Sequence, residues 1–147
     1  MTYSKKSLKT PKPALGVEPC PCGRLSTRLQ PLACADCCGQ YLDGDLAAPD
    51  AESLMRSRYS AFVRDRRDYL LATWHESKRP AKLVLDGSAH WLGLEVRRHT
   101  VQDATHAQVE FVARYREGKG GPAVRLHETS RFTSENGRWY YLDGETK

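Results

Sequence analysis

All five cysteines lie between Cys20 and Cys38, as Cys20-Pro-Cys22 followed by Cys34-Ala-Asp-Cys37-Cys38. Thiolates are soft, anionic ligands that suit zinc, and thiols crowded this tightly in a reducing compartment hold a metal. A disulfide reading would require export. Residues 1–19 are rich in Lys, Thr, Ser and Pro and lack the apolar core of a signal peptide, so the chain is expected to be cytoplasmic. Which four sulfurs take part is open at this level, because Cys34 and Cys37 make a CxxC knuckle of their own. An all-cysteine site leaves no coordination position for substrate, so the expected role of the metal is to stabilise a segment too small to have a core.

A second set of candidates consists of polar side chains on apolar faces. Arg58 lies one helical turn after Leu54 and one before Phe62, and Glu128 alternates with Leu126, Ser130 and Phe132 along a strand. Each charge would be costly alone, so the pattern predicts a buried Arg58–Glu128 ion pair across a helix–sheet interface, either as a core pair or as the floor of a polar pocket. His75 and Tyr59 are the other pocket candidates. The simpler expectation for His75 is a helix-end residue that caps carbonyls, and for Tyr59, Tyr115, Trp139 and Tyr141 core aromatics with polar tips. His127 is expected to be solvated, and His90, His99 and His106 have no partner pattern. No Ser-His-Asp order, HExxH or glycine-rich phosphate loop is present, and no catalytic residue is named.

These residues need elements to position them. Asp50 is a suitable N-cap for a helix carrying Leu54, Met55, Arg58, Tyr59, Ala61 and Phe62 on one face. A second helix is predicted from Arg66, carrying Tyr69, Leu70, Thr73 and Trp74 and bounded by Pro80, with a short turn at 81–85. After Gly87 the pattern becomes β. Strands are predicted at 91–101 with Leu92, Leu94 and Val96 alternating, at 109–115, at 126–132 and at 139–142, the last reached through an Asn136-Gly137 hairpin. Helices first and an antiparallel meander afterwards imply an α+β fold with helices on one face of a curved sheet.

The chain of 147 residues has a net charge of +5. That charge resides in residues 1–28, where six basic side chains face Glu18 alone, and the remainder is balanced. A basic tail at 1–17 is expected to be disordered and to add at most weak, non-specific, salt-dependent RNA contact. No apolar run approaches a membrane span.

Several segments carry a family resemblance. Cys20-Pro-Cys22-Gly23 and Cys37-Cys38-Gly39 resemble the SEC-C motif, a zinc knuckle known from the carboxy-terminal end of the SecA translocation ATPase. Leu54 to Phe62, Thr73-Trp74-His75, Trp91 to Leu94, Val109 to Tyr115 and Gly137 to Gly144 resemble the YchJ family of uncharacterised bacterial proteins. The resemblance covers roughly residues 18–144. After the basic tail at 1–17, it implies a zinc knuckle at 18–44 and a nuclear transport factor 2-like, cystatin-like cone at 45–147. It also implies zinc on Cys20, Cys22, Cys37 and Cys38, with Cys34 as the alternative ligand, and Gly39 permitting the turn after the adjacent pair. The fourteen residues between Cys22 and Cys37 exceed the motif's usual gap. By analogy with the SecA knuckle, the expected function is docking of a protein or ribosomal partner. The alternative is a small-molecule binder or enzyme using the cavity of the cone.

Overall fold

The computed structural model describes residues 17–85 and 87–147, so the expectation for the basic tail lies outside the described residues except at Val17. A short 3-10 turn at Cys34–Asp36 and helix α1 (Gly39–Leu42) belong to the knuckle. Helices α2 (Ala51–Val63) and α3 (Arg67–Ala72) follow. Strands β1 (Ala89–Asp103), β2 (His106–Glu117), β3 (Ala123–Glu135) and β4 (Arg138–Thr146) then form an antiparallel meander in the order β1-β2-β3-β4.

Local chemistry explains most of these boundaries. The Asp50 carboxylate accepts a hydrogen bond from the Ser53 amide at 2.7 Å, so one orphan donor of α2 is satisfied at its start. The Asn136-Gly137 hairpin has both central residues at positive φ, 52° and 80°, which matches the twist of its flanking strands.

Helix α3 is shorter than its periodicity predicts. It ends at Ala72, well before Pro80, because the next residues turn to the free edge of β4. The Tyr141 amide donates to the Thr73 carbonyl and the His75 amide to the Tyr141 carbonyl, both at 2.8 Å. Thr73 and Trp74 are therefore edge residues rather than helical ones, and no regular turn forms at 81–85.

Strand β1 also departs from simple alternation. Register shifts between Trp91 and Gly93, and again between Val96 and Arg98, insert extra residues. Trp91 pairs with Tyr115, Leu94 with Ala113 and Val96 with Phe111, so these face the helices together, and Leu92 is 49% exposed. The expected Leu92–Leu94–Val96 face is corrected to Trp91, Leu94 and Val96.

Helix α2 is buried almost all round, with Ser53, Ser57 and Ser60 sealed alongside Leu54, Met55 and Tyr59. The sheet covers one side and the knuckle another. All five cysteines, Leu54, Met55, Val109, Phe111 and Phe132 belong to one continuous apolar cluster.

Candidate functional site

The knuckle begins as a narrow hairpin. Bridges join Pro19 to Ala33 and Leu25 to Pro31, and the Cys20 amide donates to the Leu32 carbonyl at 2.8 Å. The long gap between Cys22 and Cys37 is therefore a projecting arm, with Leu29 at its tip, 74% exposed and at φ 61°. The arm returns the chain so that Cys37 and Cys38 come back beside Cys20 and Cys22.

Sulfurs of Cys20, Cys22, Cys37 and Cys38 all lie within 4.8 Å of one another, and all four residues are buried. Cys34 is buried too but stands outside this group. A tetrahedral site with Zn–S bonds of about 2.3 Å separates its sulfurs by about 3.8 Å. The 3.5 Å between Cys22 Sγ and Cys37 Sγ is close to that spacing, so the donor set fits a closed four-thiolate metal site. Gly39 serves this site differently from expectation. It is the first residue of α1, and a Cβ there would stand 2.7 Å from the Cys34 carbonyl oxygen. The irregular turn falls at Cys37 instead, at φ −133° and ψ −115°.

The four thiols compete for protons. Hydrogen bonds from Cys22, Cys37 and Cys38 push the Cys20 thiol far down. At Cys22 the contact with Cys20 raises the pKa, but those with Cys37 and Cys38 outweigh it and leave it lowered to about 7. Contact with Cys20 pushes Cys37 and Cys38 far up. Four thiols this close share their protons, and a cation among them would favour the thiolate form of all four.

Polar contacts fasten the knuckle to α2. Arg56 donates to the Cys22 carbonyl at 3.1 Å, Arg24 to the Ser53 hydroxyl at 2.9 Å, and Cys20 Sγ lies 3.6 Å from Ser60 Oγ. Glu52 gathers Arg56 at 2.8 Å, His99 at 3.8 Å and Arg24 at 3.9 Å. The bulges of β1 turn His99 inward to this cluster, a partner that its sequence context did not suggest.

On the other side of α2 lies a cavity of ≈ 400 Å³. Its walls include Met55, Arg58, Tyr59 and Phe62 from α2, Phe111, Ala113 and Tyr115 from β2, and Leu126, Glu128, Ser130 and Phe132 from β3. Trp74, Trp91 and Tyr141 complete it. Trp91 packs at 5.5 Å on Tyr59, 5.7 Å on Phe62 and 5.3 Å on Tyr115, making a continuous aromatic wall.

Three of the four pocket candidates line this cavity: Arg58, Tyr59 and Glu128. His75 does not. Its Nε2 meets Glu135 Oε2 and its Nδ1 meets Ser77 Oγ, each at 2.7 Å, so it ties the post-helix loop to the end of β3 rather than capping α3. His127 is half-buried and bonded to Glu110 at 2.7 Å on the outer sheet face, which corrects the solvated reading.

The expected Arg58–Glu128 ion pair is also corrected, because no contact within salt-bridge distance joins them. Arg58 is 6% exposed, and its Nη1 donates to the Leu70 carbonyl and the Thr73 hydroxyl at 2.7 Å each. It thereby caps the carboxy-terminal end of α3, where backbone carbonyls lack helical donors. Its guanidinium carbon sits 4.5 Å from the Tyr141 ring centre and 5.3 Å from that of Trp74. Burial lowers its pKa to about 10, so it remains charged at neutral pH. Glu128 Oε2 instead accepts from Ser130 Oγ at 2.7 Å, and its carboxylate occupies the space beside Gly144 where a side chain would stand. Burial, with the Glu128 charge adding to it, raises Tyr141 to about 12, and burial raises Tyr59 to about 12. The alternation that placed Glu128 on the inner face holds; only its partner differs.

Among the described residues no helix is long and apolar enough to cross a membrane. The family profile described as YchJ, middle NTF2-like domain, matches residues 50–144. A UPF0225 protein of Polaromonas sp. is 66% identical over 131 residues, covering 87% of this chain and 93% of its own length. One from Xanthomonas campestris is 56% identical over 133 residues, covering 89% and 97%. A SEC-C motif containing protein from Rhodopseudomonas palustris superposes with a TM-score of 0.74 at 32% identity, covering 88% of this chain and 99% of that one. Another from Psychrobacter arcticus gives 0.72 at 33%, covering 90% and 85%. The chain belongs to the YchJ, or UPF0225, family.

Proposed function

We propose that this YchJ-family chain is a cytoplasmic small-molecule-binding protein whose cone cavity receives the ligand and whose knuckle carries one structural zinc ion on Cys20, Cys22, Cys37 and Cys38. The cavity is the observation that carries the reading. Its ≈ 400 Å³ falls within the range of ligand pockets, and its walls are mainly aromatic with a few convergent polar groups, Arg58, Glu128 and Ser130. A packed core would fill such a volume, since voids larger than a water molecule are few in protein interiors. Zinc is favoured over other ions by four soft thiolates in a closed set, and it would cross-link the knuckle without offering a position to substrate. Five free, buried thiols suit a reducing compartment.

The test is a screen of small aromatic fragments against the isotopically labelled protein. Binding in the cavity should move the indole N–H signals of Trp74 and Trp91, which line it, and leave that of Trp139, which does not. Fragments that move none of the three, or Trp139 alone, would overturn the reading. Docking of a protein or ribosomal partner through the knuckle is a second reading, favoured by the exposed Leu25 and Leu29 on the projecting arm. Retention of a captured partner by a Leu25→Ser, Leu29→Ser variant would count against it.

A further inference from the structure

We propose that the cavity selects a small organic anion, an apolar and largely planar body bearing a carboxylate that pairs with Arg58. This rests on the cavity being a ligand site and adds the charge of what it takes.

The argument begins with what Arg58 lacks. Its two hydrogen bonds both come from Nη1 and both go to neutral oxygens. Among the described residues Nε and Nη2 meet no acceptor, and no carboxylate lies within salt-bridge distance. Neither nitrogen is sealed away; the sealed, unpartnered side-chain nitrogens of the described residues are Arg64 Nε and His99 Nε2. A guanidinium that lines a cavity and keeps its Nε–Nη2 edge free presents two parallel N–H groups, the fork that receives a carboxylate in a bidentate fashion. The rings of Tyr141 and Trp74 hold the guanidinium at fixed distances, so its orientation is set before a ligand arrives. An ion this buried is costly without a counter-ion, and a ligand carboxylate would supply one.

Glu128 is the obvious internal counter-ion; its charge favours the Arg58 cation through space, but it makes no direct ion-pair contact with the guanidinium. The Ser130 hydroxyl engages its Oε2, and the bare backbone of Gly144 makes room for it on the β3–β4 side of the wall. Its charge still repels an incoming anion, so it should weaken rather than create the preference. The aromatic run of Tyr59, Phe62, Trp91 and Tyr115 then accounts for the flat, apolar body.

The experiment compares three probes of one shape and different charge on the full chain: 1-naphthylacetate, 1-naphthylacetamide and 1-naphthylmethylammonium. Affinity is read by calorimetry and by the Trp74 and Trp91 indole signals. The acetate should bind at least tenfold more tightly than the amide, and the ammonium most weakly. Arg58→Met should remove the advantage of the acetate while retaining amide binding. Because Arg58 also caps α3, Arg58→Lys is a second variant that keeps the charge but not the fork, and should retain only part of the preference. Glu128→Gln, remote from α3, should tighten the acetate several-fold and leave the amide unchanged. Equal binding of acetate and amide, or tighter binding of the ammonium, would overturn the anion inference and leave the cavity reading standing. If no probe moves either indole signal, the cavity reading fails and the inference with it.

Discussion

The knuckle and the cavity lie on opposite sides of α2, and one closes on its own side chains while the other encloses space. In the knuckle four sulfurs converge within 4.8 Å, and neighbouring backbone and hydroxyl groups already have partners across the interface. In the cavity a guanidinium is buried with part of its donor edge unused, beside ≈ 400 Å³ of space. The sulfurs of the knuckle form a closed set, although Arg64 Nε and His99 Nε2 are sealed beside it without partners, whereas the cavity sets a guanidinium next to open space. The serines of α2 show how one helix can serve both. Ser53 and Ser60 face the knuckle, Ser57 bonds Tyr69 of α3 at 2.7 Å, and Arg58 and Tyr59 face the cavity.

The largest effect should come from the knuckle. Purified protein should carry about one zinc per chain, and Cys37→Ser should lose it. Structural zinc sites contribute on the order of 10 kcal/mol, and here the cysteines share an apolar cluster with α2. Metal loss should therefore lower the melting temperature of the whole chain, followed by circular dichroism of the sheet. A sheet transition unmoved by metal removal would separate the two regions more sharply than the shared packing allows. Cys34→Ser should leave the metal content unchanged.

Next comes a contrast between two truncations. Leu54, 1% exposed and packed in the shared cluster, should cost about 2–5 kcal/mol on replacement by Ala in urea denaturation. Phe62→Ala, at a half-buried cavity wall that already adjoins space, should cost less stability and weaken probe binding more. Equal stability costs with no change in binding would erase the distinction. Asp50→Ala should cost about 1 kcal/mol by removing the cap of the helix that both regions share.

The smallest effect lies on the exposed side of the sheet. The Arg131 hydrogen bond holds the Asp143 carboxyl below its usual range. Its contribution is present above the ordinary carboxylate pKa of about 4 and lost as pH falls through the depressed folded value. The melting-temperature gap between wild type and Asp143→Asn should hold from pH 7 to 5 and close in acid. A gap that widened in acid would contradict this sign.

Much of this organisation was legible in the residues. The crowding of the cysteines pointed to a cluster that could hold a metal and the family resemblance to its four members, alternation placed Glu128 and Phe132 inward, and Asp50 and Asn136-Gly137 marked a helix start and a hairpin. What escaped has specific causes. Bulges add residues that a period of two cannot count, so alternation points Leu92 inward where the structure has Trp91. Pairing with β4 ended α3 at Ala72, a tertiary effect that helical periodicity does not contain. Periodicity also gives the face a side chain occupies but not its reach: Arg58 stands on the predicted face yet extends to the end of α3 rather than to Glu128. Serines at 53, 57 and 60 recur at i, i+4 and i+7, a spacing that marks a second contact face on α2.

The contrast between a structural knuckle and a binding cavity is tested most directly by residue-resolved hydrogen exchange with and without 1-naphthylacetate. Exchange should slow along the Arg58–Phe62 turn of α2 and in β2 and β3 where they line the cavity, while residues 20–38 exchange at the same rate. Slowing confined to residues 20–38, or absent from the cavity strands, would contradict the account.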